Sequence, residues 1–216
     1  MWAAAEGGRR SLAEKAYQVI SDRLVTLQIR PGAPISDEQV ASELGLGRTP
    51  VREALKRLES ERLVIAYPRR GTFATEVHIT DLGYISEVRQ QLEPLAAAAA
   101  ARRLTGRDRA ELELLLAELG SAGTKDLREL IRLDVRVHRA IYAATNNPYL
   151  EDTLIRYGNL ATRIWCLFLD RLPGLADHVL EHGQLLRAVI DGDADRSAGF
   201  AAGHVAGFES AIRKVI

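Results

Sequence analysis

The fold is decided by residues 47–75, which read GRTPVREALKRLESERLVIAYPRRGTFAT. Val51 and Leu55 lie at the spacing of one helix face, so the first half of this stretch predicts a helix with an apolar inner side. Two short runs rich in β-branched and aromatic residues follow at 63–67 and 72–75, separated by a Pro-Arg-Arg-Gly turn. This pattern predicts a β-hairpin directly after the helix.

Two helices are predicted upstream of this stretch, of which the second is short. Ser11 begins the first helix in a capping-box pattern, and Ser36 begins the second, which Gly45 ends at a position that favours a left-handed conformation. After a tight turn, Thr49 is predicted to cap the third helix, with Pro50 at its first position. This order of helix, short helix, turn, helix and hairpin is typical of a winged helix-turn-helix.

The third helix and the hairpin carry most of the basic charge of this region. Seven basic and three acidic side chains lie between Arg48 and Arg70. The side chains predicted to face DNA project away from the apolar stripe or stand at the hairpin tip: Arg48, Thr49, Arg52, Lys56, Arg69 and Arg70. Guanidinium groups match the O6 and N7 acceptors of guanine, and Lys and Thr can hold phosphates. The alternative is an ordinary amphipathic helix with a solvated basic face.

Residues 11–77 resemble the GntR family of bacterial transcription regulators, chiefly through the stretch quoted above. The resemblance implies a homodimer that binds a short palindromic operator in double-stranded DNA. It further implies that Arg48 and Arg52 contact base edges, that Thr49 lies near a phosphate and that Gly71 shapes the wing. Some members of the family carry an arginine in the second helix where this sequence has Glu38.

Composition limits the class of protein. The 216 residues carry 29 basic and 29 acidic side chains, and 47% are hydrophobic, which is enough for buried cores. The longest apolar block, Ala96–Ala101, is too short to span a bilayer, and the start of the sequence is not typical of a secretory signal. A single cysteine, Cys166, excludes a disulfide framework and indicates a reducing cytoplasm.

The chain is predicted to be mostly α-helical, with a flexible tail at 1–10, a winged helix-turn-helix at 11–77 and an antiparallel helical bundle at 78–216. The alanine run Ala96–Ala101 predicts a close helix–helix contact, and we expect the homodimer to use the same helix. Periodicity and turn signals in the bundle predict about six helices, at 81–103, 107–121, 125–145, 148–171, 175–191 and 193–214, with breaks at Gly106, Gly123, Asn146-Asn147-Pro148, Pro173-Gly174 and Gly192.

Four polar residues of the bundle have the spacing of a metal site. Asp134 and His138 are four residues apart and project from one helix face. His182 and His204 lie on the last two predicted helices, which an antiparallel turn brings to similar height. One carboxylate and three imidazoles can hold Zn, Ni, Co, Mn or Fe with open coordination positions. The alternative is a set of ordinary hydrogen-bonded core histidines.

Residues 80–214 resemble the FCD ligand-binding domain of the FadR/VanR branch of the same family. The resemblance implies one divalent transition metal per chain, Zn first, held by Asp134, His138, His182 and His204, with His178 outside the set. It also implies that Arg89 faces the effector. A bidentate guanidinium opposite the metal would hold a small carboxylate, whereas the alternative for Arg89 is a surface ion pair with Glu93.

These patterns predict a ligand-responsive transcription factor, a repressor that works in the cytoplasm without a membrane partner and is not an enzyme. A metal-dependent hydrolase is the first alternative. Against it, Glu181 is the only acid adjacent to a proposed metal ligand, and it projects about 100° away from His182 around the helix. A constitutive repressor with a purely structural metal is the second alternative.

Overall fold

The structure is a computed structural model that describes residues 11–121, 126–172 and 174–216. The tail predicted over residues 1–10, the break predicted at Gly123 and the proline of the Pro173-Gly174 break lie outside the described residues. The chain divides into two compact units, Met1–Glu76 and Val77–Ile216.

The first unit contains three helices, whose ends follow from local hydrogen bonding. They are α1 (Leu12–Val25), α2 (Asp37–Leu44) and α3 (Arg48–Ser60). The hydroxyls of Ser11 and Ser36 each accept a hydrogen bond from the backbone N–H three residues on, at 3.1 and 3.2 Å. Gly45 ends α2 with φ +62°, a conformation that costs glycine little. The caps predicted for α1 and α2 are therefore confirmed.

The start of α3 differs from the prediction. Gly47 occupies the cap position without a side-chain hydrogen bond, and the helix already includes Arg48. The prediction that Thr49 caps this helix is therefore wrong, and Thr49 lies within the first turn. Pro50 is tolerated as the third helical residue because N–H groups in the first turn have no partner within the helix.

A three-stranded antiparallel sheet completes the first unit. Its strands are β1 (Pro34–Ile35), β2 (Val64–Tyr67) and β3 (Gly71–Ala74), in the order β1-β3-β2. Phe73 of the central strand lies opposite both Pro34 and Ile65. The predicted hairpin is confirmed, whereas β1 was not predicted because two residues are too few to show an alternating pattern.

The apolar stripe of α3 packs against α1 and fixes which side of α3 faces solvent. Val51 and Leu58 of α3 and Ile20 and Leu24 of α1 are all 0% exposed. Truncation of a leucine buried in this way typically costs about 2–5 kcal/mol. The opposite side of α3, which carries the basic residues, is left in solvent.

The described part of the second unit is all α-helical and contains six helices. They are α4 (Asp81–Arg103), α5 (Gly106–Leu119), α6 (Leu127–Ala144), α7 (Pro148–Leu167), α8 (Leu175–Ile190) and α9 (Ala194–Arg213). A single 3₁₀ turn, Leu169–Arg171, follows α7. The predicted fold class, a winged helix-turn-helix followed by a bundle of about six helices, is confirmed.

Helix α4 is central to the second unit, where it packs against α6, α7, α8 and α9. The alanines at 96–101 are each 9% exposed or less, and their small side chains let the neighbouring helices approach closely. The predicted helix–helix contact is confirmed within the chain. The homodimer expected to use this helix stays a prediction, and the burial of the alanines in their own bundle leaves other side chains of α4 for such a contact.

None of the helices in the described ranges combines the length and the apolar character that a membrane span requires.

Candidate metal centre and nucleic-acid interface

The outer face of α3 places a group of basic side chains in solvent. Arg48, Thr49, Arg52 and Lys56 are all exposed. Arg48 and Arg52 both form ion pairs with Asp37 at the start of α2. The hydrogen bond from Arg52 is the main cause that holds the pKa of Asp37 below its ordinary value. This pairing holds both guanidinium groups on the same side of the helix-turn-helix.

Arg57 differs from the other basic residues of α3. Its guanidinium lies 3.7 Å from the centroid of the Tyr17 ring and donates to Glu14 on α1 at 2.9 Å. Periodicity groups Arg57 with the outward-facing residues, but these contacts direct its side chain back to α1. Arg57 therefore helps to hold α3 against α1.

The hairpin tip presents two further cations, because Arg69, Arg70 and Gly71 are all exposed. Gly71 has φ +97°, a conformation that side-chain-bearing residues rarely adopt. The Arg70 guanidinium lies 5.8 Å from the centroid of the Tyr67 ring on β2. The turn thus holds two cations at the end of a short, ordered hairpin.

The second unit brings four polar side chains of three helices together. Asp134 and His138 come from α6, His182 from α8 and His204 from α9. All four residues are buried, at 7% exposure or less, and each offers one ligand atom within 4.8 Å of the others. We call these four residues the inner cluster, which can hold a metal ion.

The distances within the inner cluster fit metal coordination. Nε2 of His138 lies 3.2 Å from Nε2 of His204 and 3.2 Å from Nε2 of His182. Metal–nitrogen bonds of about 2.0–2.1 Å at tetrahedral angles separate two nitrogens by about 3.3 Å. Oδ1 of Asp134 lies 3.7 Å from Nε2 of His182. It is buried without a hydrogen-bond partner among the described residues, so a cation at this point would satisfy it.

Hydrogen bonds on the outer sides of two rings orient their Nε2 atoms inward. Nδ1 of His182 donates to the carbonyl oxygen of Val179 at 3.1 Å. Nδ1 of His138 lies 3.3 Å from Oε2 of Glu93 and 3.2 Å from the hydroxyl of Tyr142. A ring whose Nδ1 carries the proton keeps the lone pair of Nε2 for a metal.

The electrostatic surroundings of the three inner-cluster rings differ. Burial lowers the pKa of His182 to about 4 and holds the pKa of His204 well below its ordinary value. Burial also acts to lower the pKa of His138, but the Glu93 carboxylate outweighs it and raises that pKa. His182 and His204 are therefore neutral at pH 7, which is the state that binds metal.

Arg89 lies in the interior rather than in a surface ion pair. It is 4% exposed, as is Glu93, and the closest N–O distance between the two side chains is 2.7 Å. Arg89, Asp134, His138 and His204 line the same cavity between the helices, which has about 20 Å³ of room for water molecules. The cavity is narrow, at the size of one or two waters.

His178 and Glu181 lie at the edge of the inner cluster. The ring of His178 stacks on that of His204, with 4.0 Å between their centroids. Oε2 of Glu181 lies 3.8 Å from Nδ1 of His204. Glu181 precedes His182 on α8 and lies about 100° around the helix from it, as expected, but its carboxylate reaches the neighbouring helix α9 and lies beside His204.

Comparison with known families identifies both units. Residues 12–74 match the bacterial regulatory proteins of the gntR family, and residues 84–207 match the FCD domain. The chain belongs to the gntR family and carries an FCD domain. Both resemblances inferred from the sequence are thereby confirmed.

The relatives of this gntR-family chain are transcriptional regulators rather than enzymes. The HTH-type transcriptional regulator McbR of Escherichia coli is 37% identical over 60% of this chain and 61% of McbR. The galactonate operon transcriptional repressor of the same species is 28% identical over 78% of this chain and 83% of its own length. The solved structure of E. coli McbR/YncC covers 95% of this chain and 99% of its own, with a TM-score of 0.81 and 26% identity.

Two contacts within the FCD domain are not predicted by the sequence pattern, one made by Tyr142 and one by Glu93. Tyr142 donates to Glu93 at 2.7 Å, and Glu93 in turn faces His138 as well as Arg89. Glu93 and His138 are 45 positions apart in the sequence, so no local pattern indicates that they lie close together. The position of Tyr142 four residues after His138 places both on one face of α6, which is the signal that could have found it.

Proposed function

We propose that this gntR-family regulator is a ligand-responsive repressor that binds a palindromic operator as a homodimer and senses a small organic acid with the help of a metal. The observation that carries this proposal is the shared cavity of the second unit, which Arg89 and three members of the inner cluster line together. A metal ion and an arginine facing one cavity suit a carboxylate by both charge and geometry.

The first unit supplies the contacts to DNA. Arg48 and Arg52 are proposed to contact base edges in the major groove, with Thr49 near a phosphate and Lys56 on the backbone. Arg69 and Arg70, at the wing shaped by Gly71, are proposed to contact the backbone or the neighbouring minor groove. Because one winged helix has a small footprint, a two-fold copy is needed for high specificity. The protein is proposed to act on DNA in the bacterial cytoplasm.

Asp134, His138, His182 and His204 are proposed to hold one divalent transition metal per chain. Three imidazoles and one carboxylate suit Zn first, and Ni, Mn, Co and Fe as well. The bound metal would act as a Lewis acid that attracts an anionic ligand. The buried hydrogen bonds behind His138 and His182 keep these rings in place for it.

Arg89 is proposed as the second anchor of the acid. Its ion pair with Glu93 fixes the guanidinium in the interior, and the same pair lies against the inner cluster through His138. The name of one relative refers to the operon of galactonate, which is itself a carboxylate. An acid larger than one or two waters requires side chains of the narrow cavity to move.

The narrowness of this cavity favours one other function, that of a repressor without an effector in which the metal only stabilises the FCD domain. A thermal-shift screen of small carboxylates distinguishes the two. A ligand present at about 100 times its Kd stabilises the folded state by about 2.7 kcal/mol, whereas a structural metal alone gives no response to any acid.

The proposal as a whole is tested with operator DNA selected from random duplexes by the protein itself. We expect a palindromic consensus, and an acid from the screen should change the affinity for that DNA. By thermodynamic linkage the DNA must change the affinity for the acid by the same factor. Arg89→Lys keeps a charge opposite Glu93 but loses the bidentate fork, so it should weaken the acid effect. Arg102→Lys, on the exposed side of the same helix, is the control.

A further inference from the structure

A second group of metal-binding side chains lies directly beside the inner cluster. His178, Glu181 and His204 each offer one ligand atom within 4.8 Å of the others. Oε2 of Glu181 lies 3.5 Å from Nδ1 of His178 and 3.8 Å from Nδ1 of His204. These distances are longer than ordinary hydrogen bonds, so the Glu181 carboxylate is close to both rings without being hydrogen-bonded to either.

His204 belongs to both groups through opposite sides of its ring. Nε2 faces the inner cluster, where it lies 3.2 Å from Nε2 of His138. Nδ1 faces the second group and is buried without a hydrogen-bond partner among the residues described here. A buried ring nitrogen without a partner is costly, so this atom itself indicates that something binds next to it.

Glu181 connects the second group to solvent, whereas its two histidines are largely buried, with side chains that are 11% exposed in His178 and 6% exposed in His204. The Glu181 side chain is 59% exposed, and the side chains of His138 and His182 are 9% exposed or less. A cavity of about 310 Å³ between α8 and α9 is lined by Glu181 and by both His182 and His204. Gly199 and Gly203 form part of its wall, and a Cβ added to either meets no atom within 4 Å.

We propose that His178, Glu181 and Nδ1 of His204 form an outer loading position, which captures a divalent transition metal from solvent and passes it to the inner cluster. This inference rests on the proposed function in one respect, namely that the inner cluster binds a metal. Two imidazoles and one carboxylate suit the same ions as the inner site. A neutral imidazole offers only one lone pair to a metal, so His204 serves one position at a time, and each chain holds one ion at equilibrium. When the ion passes inward, the ring releases its proton from Nε2 to water and takes one up at Nδ1, so the net charge of the ring does not change.

The outer loading position and the cavity that Arg89 lines lie on opposite sides of the His204 ring. The cavity at Arg89 contains His204 and His138, whereas the cavity beside Glu181 contains His204 and His182. A metal ion can therefore reach the inner cluster without passing the proposed acid site.

The test uses the full chain, stripped of metal with a chelator and mixed rapidly with Co²⁺. The ring of Trp165 lies 4.4 Å from that of His178, so its fluorescence reports an ion at either position. Trp2→Phe removes the other tryptophan of the sequence. A chelator chase then gives the dissociation rate.

We expect Glu181→Gln to slow both association and dissociation by about tenfold or more, the scale of electrostatic effects on capture, and to leave Kd and the single-ion stoichiometry unchanged. His178→Phe should have the same effect. This substitution keeps an aromatic ring against Trp165. It does not change the net charge of the protein at pH 7.5, where an ordinary imidazole is neutral. Gly203→Leu, whose Cβ has open space and whose side chain would occupy part of this cavity, should also slow both rates.

Glu87→Gln, which removes an exposed acid of α4, should leave both rates unchanged and so excludes a general effect of charge. Unaltered rates in both Glu181→Gln and His178→Phe would overturn the inference. A faster dissociation with a weaker Kd would overturn it as well, because Glu181 would then hold the His204 ring in place rather than load the metal. If wild-type protein binds no Co²⁺ at all, the proposed inner metal site fails too, which distinguishes that outcome from the others.

Discussion

Nδ1 of His138 lies 3.3 Å from Oε2 of Glu93. The other oxygen of the same carboxylate accepts hydrogen bonds from Arg89 at 2.8 Å and from Tyr142 at 2.7 Å. Glu93 therefore connects one ring of the inner cluster to the arginine that lines the same cavity. Any change in this carboxylate reaches both proposed anchors of the acid at once.

Glu93→Gln tests this connection. The amide keeps the size of the side chain but removes the charge that faces Arg89 and orients His138. We expect the affinity for Zn²⁺ to fall by about 10–100-fold, as is common when a partner behind a metal ligand is lost. The free energy of unfolding should fall by about 3–5 kcal/mol, because a buried guanidinium loses its anionic partner.

Competition with a calibrated chelator gives the metal affinity of this variant, and urea unfolding gives its stability. Glu87→Gln on the exposed side of α4 should change neither quantity. Zn²⁺ affinity equal to that of the wild type would show that Glu93 does not support the inner cluster.

The stability of metal-free protein should depend on pH through the buried histidines. Burial lowers the pKa of His182 to about 4, whereas the unfolded value is about 6.5. Between these values the unfolded state binds more protons, so the free energy of unfolding rises with pH. We expect a loss on the order of 1 kcal/mol per pH unit for this group as pH falls from 6.5 to 4.

His138 should act in the opposite sense, because Glu93 raises its pKa. Its contribution is complete below the unfolded pKa of about 6.5 and is lost as pH rises through the higher folded value. Urea unfolding in the presence of a chelator measures the whole profile. His182→Gln should reduce the slope below pH 6.5, and an undiminished slope in that variant would refute the assignment.

The DNA contacts should separate into base readers and backbone binders. We expect Arg52→Ala to weaken binding to the operator by about 1–3 kcal/mol and to weaken binding to random DNA by less. Arg70→Ala should weaken binding to all DNA sequences evenly. It should also reduce the slope of log affinity against log salt concentration by about 1. Fluorescence anisotropy at several salt concentrations measures both, with Lys15→Ala, an exposed cation of α1, as the control. If Arg52→Ala lost the same binding affinity for operator and for random DNA, Arg52 would not be a base reader.

The homodimer is expected to use an exposed apolar face of α4 in place of the buried alanines. Tyr84 is 74% exposed and Leu95 is 53% exposed, and their separation of 11 residues, about three turns, puts them on one face. Leu95→Asp should shift sedimentation at micromolar concentration towards a monomer, because a carboxylate is costly to desolvate. Leu114→Asp changes a residue of α5 that is 73% exposed and should remain a dimer. Wild-type protein that sediments as a monomer even on operator DNA would contradict the dimer itself.

The fold was largely predictable because its signals are local. Capping serines, the turn at Gly45 and the stripe of Val51 and Leu58 all act within a few residues, and the boundaries of α4 agree with the prediction. The exceptions are also local in origin. Strand β1 is too short for a pattern, and Thr49 is of a residue type that often caps a helix although Gly47 occupies the cap position here.

The sequence predicts which four residues form the inner cluster, but it does not predict which other side chains contact them. The separation of Asp134 and His138 by one helical turn is visible in the sequence. The contact of Glu93 with His138, and that of Glu181 with His204, depend on how different helices pack. The ion pair of Arg89 with Glu93 is buried because other helices pack over it. Periodicity along a single helix cannot show this, and the alternative stated from the sequence was a pair on the surface.

Joint binding of the acid by the metal and Arg89 is tested by calorimetry of a small carboxylate, selected by thermal shift, on metal-loaded and on chelated protein. We expect one acid per chain on the metal-loaded form. Without metal the affinity should fall at least about tenfold, which corresponds to about 1.4 kcal/mol. Equal affinity for the metal-free and metal-loaded forms would contradict the claim that the metal and Arg89 bind the acid together.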